Sequence, residues 1–528
     1  MSFTSYGFIA FLAVLFLAYY CVPRKWQWGL LLAGSYVFYA FAGLDCLVLI
    51  ALTTLVAYLI ARLIAKNARR EADYLAAHRA ELEKEARKAY KAREKKKRFR
   101  VLTAGLLLCF GILALLKYTA FAVENLNDLL GLFRLEPLSV PSLVLPLGIS
   151  LYIFQTCGYL IDVYRGKTEA ERNPLRLALF VGFFPQLVQG PISRHSDLAG
   201  ELFAPHAFDR KNVTLGLWRI LWGYFKKLVI ADRVMVAMKT MLAEPADYDG
   251  VYVVLLILLY SAQIYADFTG GIDMTIGIAQ ALGIRLKENF DHPFSSGSTK
   301  EYWRRWHITM GTWFTDYIFY PISVCKPMMK LSKWGRAHLG NAIGKRLPVY
   351  LATVATWYLT GLWHGAGWNF IVWGLLNCLV ILVSQELEPL YSRFRGKFPR
   401  LTASRGYGKF MAVRTFLLMG LIRSLDCYRD VPTTFRQWGT ILTTPNWGEL
   451  PRGLFSLGLD GADWIILLLA LLIVAVVSKL SMTRSVRERL YDRPFLSCFL
   501  VGGLFVAVIL FGAYGIGYDA GDFIYRQF

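Results

Sequence analysis

Residues 347–385 read L-P-V-Y-L-A-T-V-A-T-W-Y-L-T-G-L-W-H-G-A-G-W-N-F-I-V-W-G-L-L-N-C-L-V-I-L-V-S-Q, 39 positions without an Asp, Glu, Lys or Arg. A membrane helix takes about 20 apolar residues, so this run suffices for two, and its one histidine, His364, divides it nearly in half. Residues 1–23 and 494–518 are likewise uncharged, each long enough for one helix. Of the 528 residues, 56% are hydrophobic, 15% aromatic and only 18% charged, the composition of a polytopic membrane protein. The expected fold is all-α, with about 11–13 membrane helices and re-entrant elements, in one membrane domain over residues 1–528.

Charge then sets topology. The net charge of +22 would suggest nucleic acid in a soluble protein. Here positive-inside topology and anionic lipid headgroups account for it, so membrane lipid is an expected partner and nucleic acid is not. No basic residue precedes the first apolar run, whereas Arg24 and Lys25 follow it, which predicts a retained first helix with its N-terminus outside. Residues 66–100 carry fourteen Lys or Arg against six Asp or Glu and fall on the same side as Arg24 and Lys25, hence cytoplasmic. They read as a solvated helical insertion, with Glu83–Arg87 and Glu94–Arg98 at i, i+4 spacing. The eight cysteines lie at least 25 positions apart, so neither disulfides nor a cysteine-held metal is expected.

Further spans are expected at residues 6–22, 28–41, 46–65, 101–116, 140–161, 251–264, 410–425, 464–478 and 495–512. Two stretches depart from a clean helix. Residues 177–193 are uncharged but broken by Gly182, Pro185, Gly190 and Pro191, with Gln186 and Gln189 between them, and read equally as a re-entrant element or an interfacial loop. Residues 215–238 are apolar but interrupted by Lys226 and Lys227. Asp267 and Asp273 follow in Y-A-D-F-T-G-G-I-D-M, and ionisable groups beside hydrocarbon pair, snorkel or line a functional cavity.

Chemistry converges on two histidines. Residues 300–323 read K-E-Y-W-R-R-W-H-I-T-M-G-T-W-F-T-D-Y-I-F-Y-P-I-S, preceded by Ser298, which with Glu301 forms the S-x-x-E signal of a helix start. Helical spacing from there puts His307 on an apolar face with Trp303, Trp306, Met310, Trp313, Phe314 and Tyr317. Read alone, such a histidine is ordinarily a buried one bonded to a backbone carbonyl. His364 sits among Gly361, Gly365 and Gly367, residues that permit close approach of backbone or substrate, although a turn histidine between two helices fits the same spacing. A neutral imidazole is suited to take and return a proton near neutral pH. G-x-S-x-G, H-E-x-x-H, the P-loop, G-x-G-x-x-G and H-x-x-x-x-D are all absent, which removes the hydrolase, zincin, nucleotide-triphosphatase, Rossmann and soluble acyltransferase motifs.

Five segments together, W-R-R-W-H-I-T (303–309), L-W-H-G (362–365), P-Q-L-V-Q-G-P-I (185–192), Y-A-D-F-T-G-G-I-D-M (265–274) and I-D-V-Y-R-G (161–166), resemble the membrane-bound O-acyltransferases. The bacterial branch for alginate O-acetylation and teichoic acid D-alanylation is the most similar, and the resemblance extends to the closing F-I-Y-R-Q-F. It implies a central tunnel, His364 as the catalytic histidine and His307 as the second. It also implies acetyl-coenzyme A as cytosolic donor, no metal, and an extracytoplasmic polysaccharide or a secreted or anchored acyltransferase as the receiving partner. In that scheme His364 is the general base and His307 positions or polarises the donor carbonyl. Trp303, Arg304, Arg305, Trp306, Asp267, Gln186, Gln189 and Asn369 are the candidate substrate contacts, with Arg304, Arg305, Lys226 and Lys227 for the donor's phosphates. A basic stretch, C-K-P-M-M-K-L-S-K-W-G-R (325–336), replaces the glycine-rich segment common in alginate-type members. D-alanyl transfer is the alternative reaction, and a transporter, lipid flippase or synthase scaffold the alternative class.

Overall fold

The computed structural model describes residues 2–143 and 145–514. The closing F-I-Y-R-Q-F lies outside them. Among the described residues the regular structure is helical, and the only β pairing is one antiparallel bridge between Phe290 and Trp306. The chain divides into two compact units. One runs up to Val213 and takes in Ala279–Leu286; the other holds Thr214–Ile278 and the described residues from Lys287 onward.

The first unit contains α1 (Tyr6–Cys21), α2 (Gln27–Ala40), α3 (Leu44–Ala77), α4 (Lys84–Leu132), α5 (Ile149–Arg165), α6 (Pro174–Gly182), α7 (Phe184–Gln189) and α8 (His195–Phe203). The charged insertion is not one separate helix. It is the continuation of α3 and the opening of α4, joined at residues 78–83. This pairing changes its ionic contacts. Glu94, spaced for Arg98, instead bonds Lys97 and accepts from Asn67 Nδ2 of α3 at 2.7 Å, while Arg98 pairs with Glu71. A second helix offers cross-partners that a lone solvated helix lacks. The span expected at 140–161 begins only at Ile149, because Gly148 takes φ +69°. Residues 179–193 are all buried, so the broken α6–α7 backbone is packed within protein, the condition under which irregular backbone survives at membrane depth.

The boundary with the second unit falls inside α9 (Arg210–Tyr224), and α10 (Asp232–Ala243) follows through a π-helical segment at Phe225–Ala231. Lys226 and Lys227 therefore do not end the helix. Both are buried and meet carboxylates and a hydroxyl, chiefly on α11 (Val251–Ala281). Lys226 Nζ lies 2.7 Å from Asp273 and 2.7 Å from Thr269; Lys227 Nζ lies 2.7 Å from Asp267 and 2.8 Å from Asp232. Arg219 adds a bond to Asp273 at 2.7 Å and a fork onto Glu288. These pairs leave neither lysine exposed to donor phosphates.

After α11 come α12 (Thr299–Arg305), α13 (Ile308–Phe314), α14 (Tyr320–Ser323), α15 (Lys326–His338), α16 (Asn341–His364), α17 (Trp368–Glu386), α18 (Glu388–Lys397), α19 (Pro399–Thr402), α20 (Arg405–Tyr428), α21 (Val431–Thr443), α22 (Leu450–Gly453), α23 (Gly461–Ser481), α24 (Val486–Tyr491) and α25 (Pro494–Phe511). Arg233 of α10 pairs with Asp463 of α23 and donates to Phe511 O of α25 at 2.6 Å, tying the late apolar helices to the π segment's neighbourhood.

Among the described residues six helices, α3, α4, α11, α17, α23 and α25, are long and apolar enough to cross a membrane, and α1 is a shorter apolar helix. The larger number expected from the sequence also counted short helices such as α2 and α5 and the broken α6–α7 segment. The protein is an all-α, multi-pass membrane protein.

Removing one partner of a buried pair strands the other charge, at a cost of about 3–5 kcal/mol. Lys227→Met should accordingly lower the thermal midpoint of the detergent-solubilised protein sharply, and adding Asp267→Asn should recover part of the loss. Equal midpoints for wild type and Lys227→Met would show that the pair contributes nothing.

Candidate active site

His307 is not on the side of a helix. Ser298 Oγ caps α12 by accepting from Glu301 N–H at 3.2 Å, as the S-x-x-E spacing predicts. The return bond from Glu301 goes one residue further back, to Gly297 N–H at 2.8 Å. The helix then stops at Arg305 because a second strand of chain takes its backbone. Asp291 N–H donates to Arg305 O at 2.9 Å, Ile308 N–H to Asn289 O at 3.0 Å, and Phe290 bridges Trp306. Trp306 is extended and His307 takes φ 49°, ψ 52°, the left-handed region, before α13 starts. An L-residue pays about 1–2 kcal/mol for that conformation, and strain of this kind persists where neighbouring bonds over-determine it.

Those bonds centre on Asn289, which is wholly buried. Its Oδ1 accepts from Thr309 N–H at 3.0 Å and Thr309 Oγ1–H at 2.9 Å, and lies 3.3 Å from His307 Nδ1. Phe268 of α11 meets the imidazole edge-to-face at 4.9 Å between centroids, and Trp363 of α16 lies 5.7 Å away. Burial pushes the His307 imidazole down to about 3, so the ring is neutral at physiological pH.

His364 is the last residue of α16, and a short turn at Gly365–Gly367 leads into α17. Both alternatives for this histidine thus meet in one place: it does end a helix in a turn between two helices. The glycines around it are not open space. A Cβ on Gly361 would stand 2.4 Å from Phe370 O, and one on Gly365 would stand 2.0 Å from the Phe370 ring, so the two helices touch through backbone here. The His364 ring is partly exposed and packs on Trp373 at 4.5 Å and Trp363 at 4.9 Å. Trp363 therefore contacts both imidazoles, which places the two histidines on one indole.

The remaining candidates sort by position. Trp303 packs on Trp357 and Trp373, and its Nε1–H donates to Asn377 Oδ1 at 3.2 Å, which makes it part of the aromatic wall behind His364. Trp306 lies under the Arg423 guanidinium at 4.2 Å, and Arg423 also donates to the Tyr302 hydroxyl. Asn369 is buried at the start of α17 and donates to Leu425 O at 3.4 Å. Asp267 is bonded to Lys227 and immediately precedes Phe268, whose ring meets His307. Arg305 pairs with Glu301 at 2.8 Å and bonds Ser295, whereas Arg304 is exposed. Gln186 and Gln189 are buried in α7 of the other unit, where Gln186 donates to Pro191 O at 3.1 Å and to Ser193. The sequence reading missed Asn289, Trp363, Trp373 and Arg423. For Asn289 the only local sign was a polar residue in K-E-N-F-D-H-P-F, just before the aromatic segment.

Residues 171–421 match the sequence model of the membrane-bound O-acyltransferase family, a region that includes both histidines and Asn289. The chain is 36% identical over 393 residues to the probable alginate O-acetylase AlgI of Azotobacter vinelandii, an alignment covering 74% of this chain and 69% of that protein. It is 31% identical over 328 residues to the peptidoglycan O-acetyltransferase of Helicobacter pylori, covering 57% of this chain and 58% of that one. Similarity to the teichoic acid D-alanyltransferase of Bacillus subtilis is lower, 26% over 254 residues, covering 47% and 61%.

The close crossing of α16 and α17 has a direct test. Gly361→Ala forces backbone apart beside His364 and should lower both the thermal midpoint and whatever activity the site supports, whereas Gly396→Ala, where an added Cβ meets nothing within 4 Å, should change neither. Equal behaviour of the two variants would refute the packing argument.

Proposed function

The chain belongs to the membrane-bound O-acyltransferase family, and from that premise we propose that it is an O-acetyltransferase moving acetyl from cytosolic acetyl-coenzyme A to hydroxyls of an extracytoplasmic polysaccharide. The observation that carries the reading is the pair His307 and His364 on the single indole of Trp363, inside the region that matches the family. Acetyl is favoured over D-alanyl by the higher similarity to alginate O-acetylases than to D-alanyltransferases. D-alanyl transfer is the second reading.

In the proposed reaction His364 removes the proton from the acceptor hydroxyl as its oxygen attacks the thioester carbonyl carbon. The new C–O bond forms, the tetrahedral intermediate collapses, and the C–S bond breaks. Coenzyme A leaves as a thiolate and takes the proton held by His364. The aromatic wall of Trp303, Trp357, Trp363 and Trp373 limits water beside the histidine, which disfavours thioester hydrolysis. Exposed Arg304 is the candidate for the donor's phosphates. The topology that suits this chemistry has the N-terminus outside and residues 66–100 in the cytoplasm, with a secreted or anchored acyltransferase completing delivery to the polysaccharide.

General-base catalysis contributes roughly 10²–10⁴-fold. Membranes carrying His364→Ala should therefore transfer label from acetyl-coenzyme A to envelope polysaccharide at least about 100-fold more slowly, at unchanged protein level. Undiminished transfer would sink the base assignment, and label accepted only from a D-alanyl carrier would select the second reading.

A further inference from the structure

We propose that Asn289 is a positioning residue whose side-chain carbonyl holds His307 as the Nδ1–H tautomer, so that Nε2 of that ring meets the substrates as a hydrogen-bond acceptor. The inference rests on the reading that His307 belongs to the acyl-transfer site.

The chain of constraint starts at a backbone group. Thr309 N–H can only donate, and it points at the Asn289 side chain from 3.0 Å. The atom it meets is thus the amide oxygen; the reversed amide would set N–H against N–H. The Thr309 hydroxyl, 2.9 Å away, donates to the same oxygen. An amide oxygen only accepts, so His307 Nδ1, 3.3 Å from it, carries the ring's proton. Burial keeps the ring neutral, and a neutral imidazole has one N–H. Nε2 accordingly holds the lone pair.

This revises the role expected for His307. Polarising the donor carbonyl would need a proton on Nε2, and the proton is on the other nitrogen. An Nε2 acceptor matches a hydroxyl, and a sugar offers a second one beside the hydroxyl whose proton His364 takes. The choice of Asn over Asp follows from the same logic. A carboxylate would satisfy the same three donors but would also stabilise the imidazolium, protonate Nε2 and turn the acceptor into a donor. The amide accepts without adding charge. It does so although its Nδ2 is buried with no hydrogen-bond partner among the described residues.

Several charged and titratable groups lie on the elements packed around His307. Asp267, next to Phe268 on α11, is bonded to Lys227. His364, next to Trp363 on α16, packs its ring on that same indole. Asp291 pairs with His292, Arg305 with Glu301, and Arg423 lies on Trp306.

The test has a direct readout and a kinetic one. In protein carrying ¹⁵N-histidine, with the His307 signal assigned by its loss in His307→Ala, wild type should show a protonated Nδ1 and an unprotonated Nε2 across neutral pH. Asn289→Leu should lose that single-tautomer signature. Asn289→Asp should keep the Nδ1 proton and gain one on Nε2 at a distinctly higher pH than wild type. With labelled acetyl-coenzyme A as probe, Asn289→Leu should lower kcat about 100-fold, the scale of removing a group that orients a functional histidine, with KM for the donor within about twofold. Asn289→Asp should recover activity at alkaline pH, with the acidic limb of its kcat profile displaced upward, because the added carboxylate raises the pH at which the ring becomes neutral. A loss of fold alone would not move that limb. A protonated Nε2 in wild type would overturn the proposal, as would a folded Asn289→Leu variant with wild-type kcat beside an inactive His307→Ala. Full activity in His307→Ala would instead overturn the functional reading, and the ¹⁵N measurement would still decide the tautomer.

Discussion

A short antiparallel pairing between residues 289–291 and 305–308 is the interaction on which the site depends. Without it, the aromatic segment beyond Ser298 would continue as one amphipathic helix, with His307 projecting from its side. Two backbone hydrogen bonds and the Phe290–Trp306 bridge end that helix instead and turn His307 into the left-handed region. The strain of about 1–2 kcal/mol is offset by hydrogen bonds that contribute about 1 kcal/mol each, several of them to Asn289. The same residue thus anchors the break with its main chain and faces the imidazole with its side chain.

A second constraint is the placement of charge within a largely apolar unit. Lys226, Lys227 and Arg219 would be prohibitive at depth if each stood alone. They stand against Asp273, Asp267, Asp232 and Glu288. The π-helical segment keeps α9 and α10 continuous while accommodating two adjacent lysines with separate partners. Because Asp267 immediately precedes Phe268, this network and the His307 environment share one turn of α11. Stability and site geometry are therefore coupled there through adjacent residues of a single helix.

Tryptophans pack around both histidines. Trp363 links the two imidazoles, and Trp373, Trp357 and Trp303 continue the wall behind His364. These rings line part of the site with apolar surface, which suits transfer of an acyl group to a hydroxyl in competition with hydrolysis. Family membership and this arrangement point the same way, although they are independent: one comes from sequence similarity, the other from ring packing.

Much was legible in the amino-acid order because the signals are local. Uncharged runs mark helices long enough for a bilayer, S-x-x-E marks the start of α12, and the glycines around His364 mark a close approach. The histidines stood out because a polar group in an apolar run is costly and so calls for a reason. Local pattern failed wherever a distant segment supplied the partner. Glu94 bonds across to α3 rather than only along its own helix, the lysines of α9–α10 find carboxylates on α11 some forty residues away, and the helix carrying His307 is interrupted by residues 289–291. The sequence by itself determined that this is a multi-pass helical protein with two histidines worth watching, since hydrophobic period and run length are properties of neighbouring residues. Which side chain faces Nδ1 of His307, and which indole joins it to His364, only the tertiary structure decided, because hydrogen-bond partners and ring packing are set by residues brought together from separate parts of the chain.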